Sequence, residues 1–423
     1  MSWETLYKKS LDHIKELNSV KNILLGYNID IDLVKYVTQD FVDKKQIEKY
    51  YLKDKLKTME DFFSGLFYSM ELGKGFEVQI NKELYKKLLN FSYNEERMGG
   101  QAGIMANLLS FFNIEKIIVY CGSMSKRQAM LFRDAENIFV PLIENNKLIL
   151  KNPRESYEKT ESVIHFIFEY KKGLKIKDSI VKRDNRFIAS CPHRFPKNES
   201  LVFEKKFDYA ILSGFHLFEK ENFKEKLSES KKHIKKLKKD SNIKIHYEFT
   251  SMQNPEIRKY LVKDYLPYFD SLGLNKVELK SILDTLGYEN ENSIYENILR
   301  IKKRLKLKRV QFHELGYYLC VIDKEHSPEN CRKALLFASL AAGMKAKNGD
   351  ICSIEDIRKG LDIPISKIGY KKLKEFGDKE FLETGVFDGG DHFVIIVPTK
   401  VIENPKSTVG LGDVISCLSF IGT

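Results

Sequence analysis

The sequence predicts an α/β fold with a mostly parallel sheet and a second, smaller set of strands, and three observations predict it. Short apolar runs recur along the 423 residues and end in polar side chains, as buried parallel strands do. Helix-like stretches separate them, so the chain starts in a β, α, β order. Between Leu148 and Ser190 the periodicity changes to two, which marks a meander of short antiparallel strands interrupting that order.

Residues 22–31 read as a buried first strand. Asn28, Asp30 and Asp32, at its carboxyl end, face the crevice where open α/β sheets bind ligands, so they are candidates for gripping a polyol or for a turn. From Leu33 to Leu89 the chain is helix-rich and charged. Gly99, Gly100 and Gln101 then open a helix of small residues; they offer N–H groups and one amide to sugar hydroxyls, or mark a close helix–strand crossing. Residues 114–121 form a second core strand.

Residues 148–150, 163–170, 174–176 and 186–189 are the meander, with turns at Lys172-Gly173 and Asp184-Asn185. It carries Lys171, Lys172, Arg183, Arg186 and Arg194, enough positive charge to hold a phosphate. An interruption of this kind reads as a lid. The α/β pattern resumes with strands at 209–216 and 244–249, the latter ending near Glu248. Residues 269–275 pass from strand to helix, with Glu278 three residues beyond Asn275 in the spacing of a capping box. A hairpin at 309–322, a helix at 328–347 and a strand at 393–398 follow.

Hydrophobic residues make up 43% of the chain and aromatics 12%, which excludes a disordered protein. The net charge of +12 favours anionic partners, among them phosphorylated metabolites and nucleic acid. Basic residues concentrate at 229–239 and 299–309, where apolar residues recur at helical spacing; both read as solvated helix faces, with no aromatics interleaved to stack on bases. Neither a nucleic-acid nor a membrane partner is expected. Six cysteines without a C-x-x-C pair read as reduced thiols, and no run of about 18 apolar residues occurs, so a cytoplasmic protein is expected.

The last motif carries the chemistry. In Lys406 to Ser416 two glycines one residue apart precede Asp413 and the apolar Val414, Ile415 and Leu418, a tight loop running into a helix N-terminus. Gly410 and Gly412 let a phosphate approach the main chain, and the first N–H groups of the helix point at it. Asp413 among those donors is placed either as a base toward an attacking hydroxyl or as a simple cap. The chain ends ten residues later, room for roughly 15 Å of helix, which reads either as a trimmed chain or as a weakly anchored terminal helix.

Taken in order, these motifs resemble the archaeal ADP-dependent sugar kinases, the glucokinases and phosphofructokinases of the ribokinase-like superfamily. The likeness runs from Gly26 to Ser416 and looks closest to the methanogen type that uses both sugars. It implies a three-layer α/β/α large domain at 1–32, 98–145 and 201–423, and a smaller discontinuous α+β lid at 33–97 and 146–200. It implies phosphoryl transfer from Mg²⁺-ADP to glucose or fructose 6-phosphate, with Asp413 as base and Gly410 and Gly412 around the phosphoryl group.

Asp32 and Asn28 would bind the sugar with Gly99, Gly100 and Gln101. Glu77 stands where glucose-using members carry a Glu, and Lys171 and Arg186 would contact phosphate. Glu248, in His246-Tyr247-Glu248, and Glu278, in Asn275 to Glu278, would hold Mg²⁺ with Asp413. His313, Thr408, Val409 and Gly410 would line the nucleotide pocket. A monomer or weak homo-oligomer is expected. Nothing in composition or spacing separates ADP from ATP as donor, and a basic, non-catalytic binding protein on the same scaffold stays open.

Overall fold

The computed structural model describes residues 2–45, 47–145, 147–177, 179–192, 195–196, 206–218, 221–250, 252, 254–291, 293–377 and 379–423. Its backbone is an 11-stranded sheet. The order is Val386–Asp388, His392–Pro398, Tyr317–Asp323, Arg309–Glu314, Ser271–Leu274, Lys244–Glu248, Tyr209–Leu212, Asn22–Tyr27, Lys116–Cys121, Ile138–Glu144, Lys147–Lys151. From Arg309–Glu314 to Ile138–Glu144 neighbouring strands pair parallel, and the flanking pairs are antiparallel. Strand Asn22–Tyr27 lies between two strands reached later in the chain, so its carboxyl end is the switch point of the sheet.

Helices cover both faces of this sheet. Arg309 and Gln311 bond Ser419 on the terminal helix Leu411–Phe420, so the alternate Val310 and Phe312 face the opposite layer. The small residues of Gln101–Leu109 and Pro328–Asn348 let these helices pack closely against the terminal one.

A 6-stranded sheet stands apart, with order Lys55–Leu56, Phe76–Ile80, Asn185–Ser190, Ile164–Tyr170, Asp30–Tyr36, Glu95–Gly99. One face packs Phe166, Phe168 and Phe187 against helix Met59–Leu72 in a core of its own. At about 1.5–3 kcal/mol per buried large apolar side chain, those rings tie the helix to the sheet. Thr58 and Asp61 close that helix with a reciprocal capping box, and Gly73 ends it at φ +60°. The opposite face carries Asp32, Glu77, His165 and Arg186, and it looks into a cleft.

Four expectations are corrected. The apolar run at 22–31 is not one strand: it breaks after Tyr27, and Asp30 already pairs with Gly99 in the smaller sheet. Strand Lys147–Lys151, expected in the meander, pairs with Ile138–Glu144 at the edge of the large sheet. The basic run 299–309 is not all solvated face, because Arg309 is buried and bonds Ser271, Gln311 and Ser419. The terminal helix is firmly anchored, with Val414 through Phe420 buried. Arg194 lies outside the described residues.

Candidate active site

A cleft of about 540 Å³ opens between the carboxyl ends of the large-sheet strands and the polar face of the smaller sheet. The crossing from the smaller sheet back toward the large one is made at two glycines. At Gly99 an added Cβ would lie 2.0 Å from Asp30 Oδ1 and 2.3 Å from Asp32 Oδ1, and at Gly100, with φ +72°, 2.6 Å from the Asn28 carbonyl. Only glycine leaves room there for two aspartates side by side.

This end is polar and buried. Asn28 Oδ1 accepts a hydrogen bond from the Ser213 hydroxyl at 2.9 Å. Asp30 and Asp32 share one face of their strand; His165 Nδ1 lies 3.5 Å from Asp30, and Arg97 Nε 3.7 Å from Asp32. Burial, then the neighbouring Asp32 carboxylate, push Asp30 well above the usual carboxylate range. Burial also raises Asp32, but Arg97 pulls it back, so Asp30 is the member held further above the usual range. Burial holds His165 neutral, with its pKa lowered to about 4. Asp30, Asp32 and His165 bring one ligand atom each within 4.8 Å of one another, a buried cluster of carboxylates and an imidazole.

At the middle stands the glycine loop. Gly410 takes φ +70° and caps helix Leu411–Phe420 without a side chain, and the first intrahelical bond runs from the Val414 N–H to the Gly410 carbonyl. The N–H groups of Leu411, Gly412 and Asp413 therefore have no acceptor within the helix. Burial lifts the Asp413 carboxyl to about 6, while Lys345, a Gln101 hydrogen bond and Arg186 pull the other way. That sets a carboxyl with a raised pKa beside a helix end whose free N–H groups suit an anion.

Two more carboxylates border the loop. Glu248 is buried and accepts from the Ser416 hydroxyl through Oε2, while a Cβ on Gly412 would sit 3.4 Å from its Oε1. Glu278 closes the expected capping box, taking the Asn275 N–H at 2.9 Å, yet it also lines the cleft. The cap uses Oε2 and leaves Oε1 for another partner, because a carboxylate has two oxygens. Burial raises Glu278 to about 8 and, with Glu278 adding repulsion, raises Glu248 well above its ordinary value. Neighbouring buried carboxylates that resist ionisation are an all-oxygen donor set suited to a hard divalent cation.

The far end is an apolar slot. Ala342, Gly343 and Ala346 of helix Pro328–Asn348 face Leu315, Val401, Ile402 and Pro405, with His313, Thr408 and Val409 toward the loop. A flat heterocycle fits such a slot, and the absence of bulk on the helix makes the space.

The structure brings Asn28, Asp32, Glu77, Gly100, Gln101, Arg186, Glu248, Glu278, His313, Thr408, Val409, Gly410, Gly412 and Asp413 together around this one cleft. Gly99 does not line it and acts behind it, by leaving room for Asp30 and Asp32. Lys171 is not brought to it: it is exposed and paired with Asp184 at 3.0 Å. The turn after strand Ile164–Tyr170 carries it away from the sheet face. Residues that sequence reading missed are His165, His216, Thr250 and the Ala342–Ala346 stripe. His165 had a signal, as a polar residue near the start of an alternating aromatic strand.

A cleft at the switch point of an α/β sheet, with a buried carboxyl at a glycine-capped helix N-terminus, defines a phosphate-binding α/β class of site. Residues 21–422 match the family described as the ADP-specific phosphofructokinase/glucokinase conserved region, and the chain belongs to that family. It is 35% identical to an ADP-dependent glucose/glucosamine kinase of Pyrococcus furiosus, covering 100% of this chain and 98% of the relative. It is 33% identical to an ADP-specific phosphofructokinase of Methanosarcina acetivorans, over 99% and 96%. Among solved structures, an ADP-dependent kinase in complex with fructose-6-phosphate and ADPβS superposes with a TM-score of 0.89 at 38% identity, covering 100% and 98% of the two chains. The expected α/β fold and family are thus shown. Among the described residues, no helix is long and apolar enough to cross a membrane.

Proposed function

We propose that this ADP-dependent sugar kinase moves the terminal phosphoryl group of ADP onto a hydroxyl of glucose or fructose 6-phosphate and releases AMP, with Asp413 as the base. The observation that carries this reading is the seat of Asp413. It lies at the N-terminus of a helix that begins at a left-handed glycine, between a hydroxyl-reading pocket and an apolar slot.

The acceptor sugar sits among Asn28, Asp32, Gly100 and Gln101. Asp413 accepts the hydroxyl proton as the new O–P bond forms and the bond between the two phosphates of ADP breaks, leaving AMP. The N–H groups of Gly412 and Asp413 take the charge that spreads over the transferred oxygens. Arg186, which reaches both Asp32 and Asp413 electrostatically, adds positive charge and suits a sugar phosphate. Glu248 and Glu278 would hold Mg²⁺, which supplies neutralisation of the donor phosphates when bound. The adenine enters the slot of Ala342, Gly343 and Ala346, beside His313, Thr408 and Val409. Glu77 on the polar face reads glucose. The reaction is mostly positioning and electrostatics, carried out in the cytoplasm by a monomer or weak homo-oligomer in the sugar-phosphate steps of archaeal glycolysis.

The test is AMP release from Mg²⁺-ADP with glucose and fructose 6-phosphate in parallel, and ATP as control donor. AMP formation with both sugars supports the bifunctional reading. Faster turnover with ATP would replace the donor, and sugar-independent binding that collapses with salt would return the molecule to the basic binding proteins.

A further inference from the structure

Glu77 and His216 face each other across the cleft from different sheets. Glu77 stands on strand Phe76–Ile80 of the smaller sheet. His216 sits in the turn Phe215–Leu217, which Gly214 opens at φ +86° just beyond the large-sheet strand Tyr209–Leu212. Their Oε2 and Nε2 atoms are 3.9 Å apart, close to but beyond a direct hydrogen bond. The other ring nitrogen, Nδ1, lies 2.8 Å from Thr250 Oγ1, just past strand Lys244–Glu248.

That contact selects a tautomer. Burial keeps His216 neutral, with its pKa lowered to about 4, so the ring carries one N–H. A proton on Nδ1 would leave the Nε2 lone pair facing a carboxylate, which is repulsive. With the Thr250 hydroxyl donating to Nδ1, the N–H of Nε2 points at Glu77. The second Glu77 oxygen, Oε1, is buried and has no hydrogen-bond partner among the described residues. An orphaned acceptor at the edge of a ligand cleft is an atom that a ligand hydroxyl satisfies.

We infer that His216 is a positioning residue for sugar choice: locked by Thr250, it draws Glu77 across the cleft and leaves the other carboxylate oxygen to accept a glucose hydroxyl. The inference rests on the kinase reading above. It assigns the link between the two sheets at the sugar to one imidazole, and it makes the discrimination between sugars depend on a residue outside the lid.

The test is kcat and KM for glucose and for fructose 6-phosphate in wild type, His216→Ala, His216→Gln, Glu77→Ala and the double His216→Ala/Glu77→Ala variant. His216→Ala should raise the glucose KM about tenfold, the scale of one lost charge-assisted hydrogen bond, and leave both fructose 6-phosphate constants within about twofold. His216→Gln, whose amide nitrogen reaches the place of Nε2, should recover most of the glucose loss. In the Glu77→Ala background the second substitution should add nothing.

Equal losses with both sugars, no rescue by Gln, or an unchanged glucose KM would overturn the inference. Wild-type turnover of fructose 6-phosphate, with glucose neither used nor bound, would overturn it and leave the kinase reading standing. Turnover of neither sugar would sink the kinase reading itself, and calorimetric glucose affinities of wild type and His216→Ala would then decide the inference by the same ratio.

Discussion

The two ends of the cleft are built on opposite principles. The acceptor end crowds ionisable groups into a buried space: Asp30, Asp32, Glu77, His165 and His216 stand within it, with burial as the main cause of the shifted pKa of Asp30, Asp32, His165 and His216. The donor end is made by withholding side chains, at Ala342, Gly343 and Ala346. Recognition of hydroxyls needs donors and acceptors held in fixed directions, whereas a purine needs a flat gap. Substitutions should therefore fail differently at the two ends, by lost hydrogen bonds at one and by overfilling at the other.

The largest effect lies where the ends meet. Asp413→Ala should lower kcat by about 10³-fold while calorimetry shows ADP and sugar still binding; retention of more than about a tenth of the rate would remove Asp413 from the base role. At the acceptor end alone, Glu77→Ala should cut kcat/KM for glucose by about 10- to 100-fold and spare fructose 6-phosphate, and equal losses would dissolve the assignment of Glu77 to glucose.

The pH profile follows from the raised Asp413 pKa. A base must be deprotonated, so kcat/KM should fall about tenfold per unit below a midpoint near 6 and level off above it; an acid limb centred near 4 would mean the carboxyl is unperturbed. At the donor end, Ala342→Leu should raise the KM for ADP about tenfold and leave the sugar constants alone; a matching change in the sugar constants would show that the ends are coupled. Lys171→Ala should change neither KM by more than about twofold, since this lysine is exposed and paired with Asp184.

The same contrast decides what could be read from the chain. Asp32, Gln101, Glu248, Glu278 and Asp413 stood out because a polar residue at a strand end or helix start breaks a pattern of apolar periodicity. Ala342 and Ala346 broke none, standing in a helix rich in small residues. Glu278 showed how a cap and a cleft position share one signal: its Oε2 takes the Asn275 N–H while the residue also lines the cleft. Lys171 misled because charge in a turn says nothing of direction, and one residue beyond Tyr170 the chain already leaves the sheet face. The break after Tyr27 was hidden because Ile29 and Ile31 continue the apolar run while the backbone passes from one sheet to the other.

That passage also shapes the cleft. Among the described strands the chain passes between the sheets four times, and two of the passages, at Asn28-Ile29 and at Gly99-Gly100, border the polar end of the cleft. The slot of Ala342, Gly343 and Ala346, with Leu315, Val401, Ile402 and Pro405, is built by the strands, turns and helices of the large sheet alone, so its walls do not depend on the smaller sheet. The polar end does: its groups come from both sheets and meet because the chain is stitched between them there.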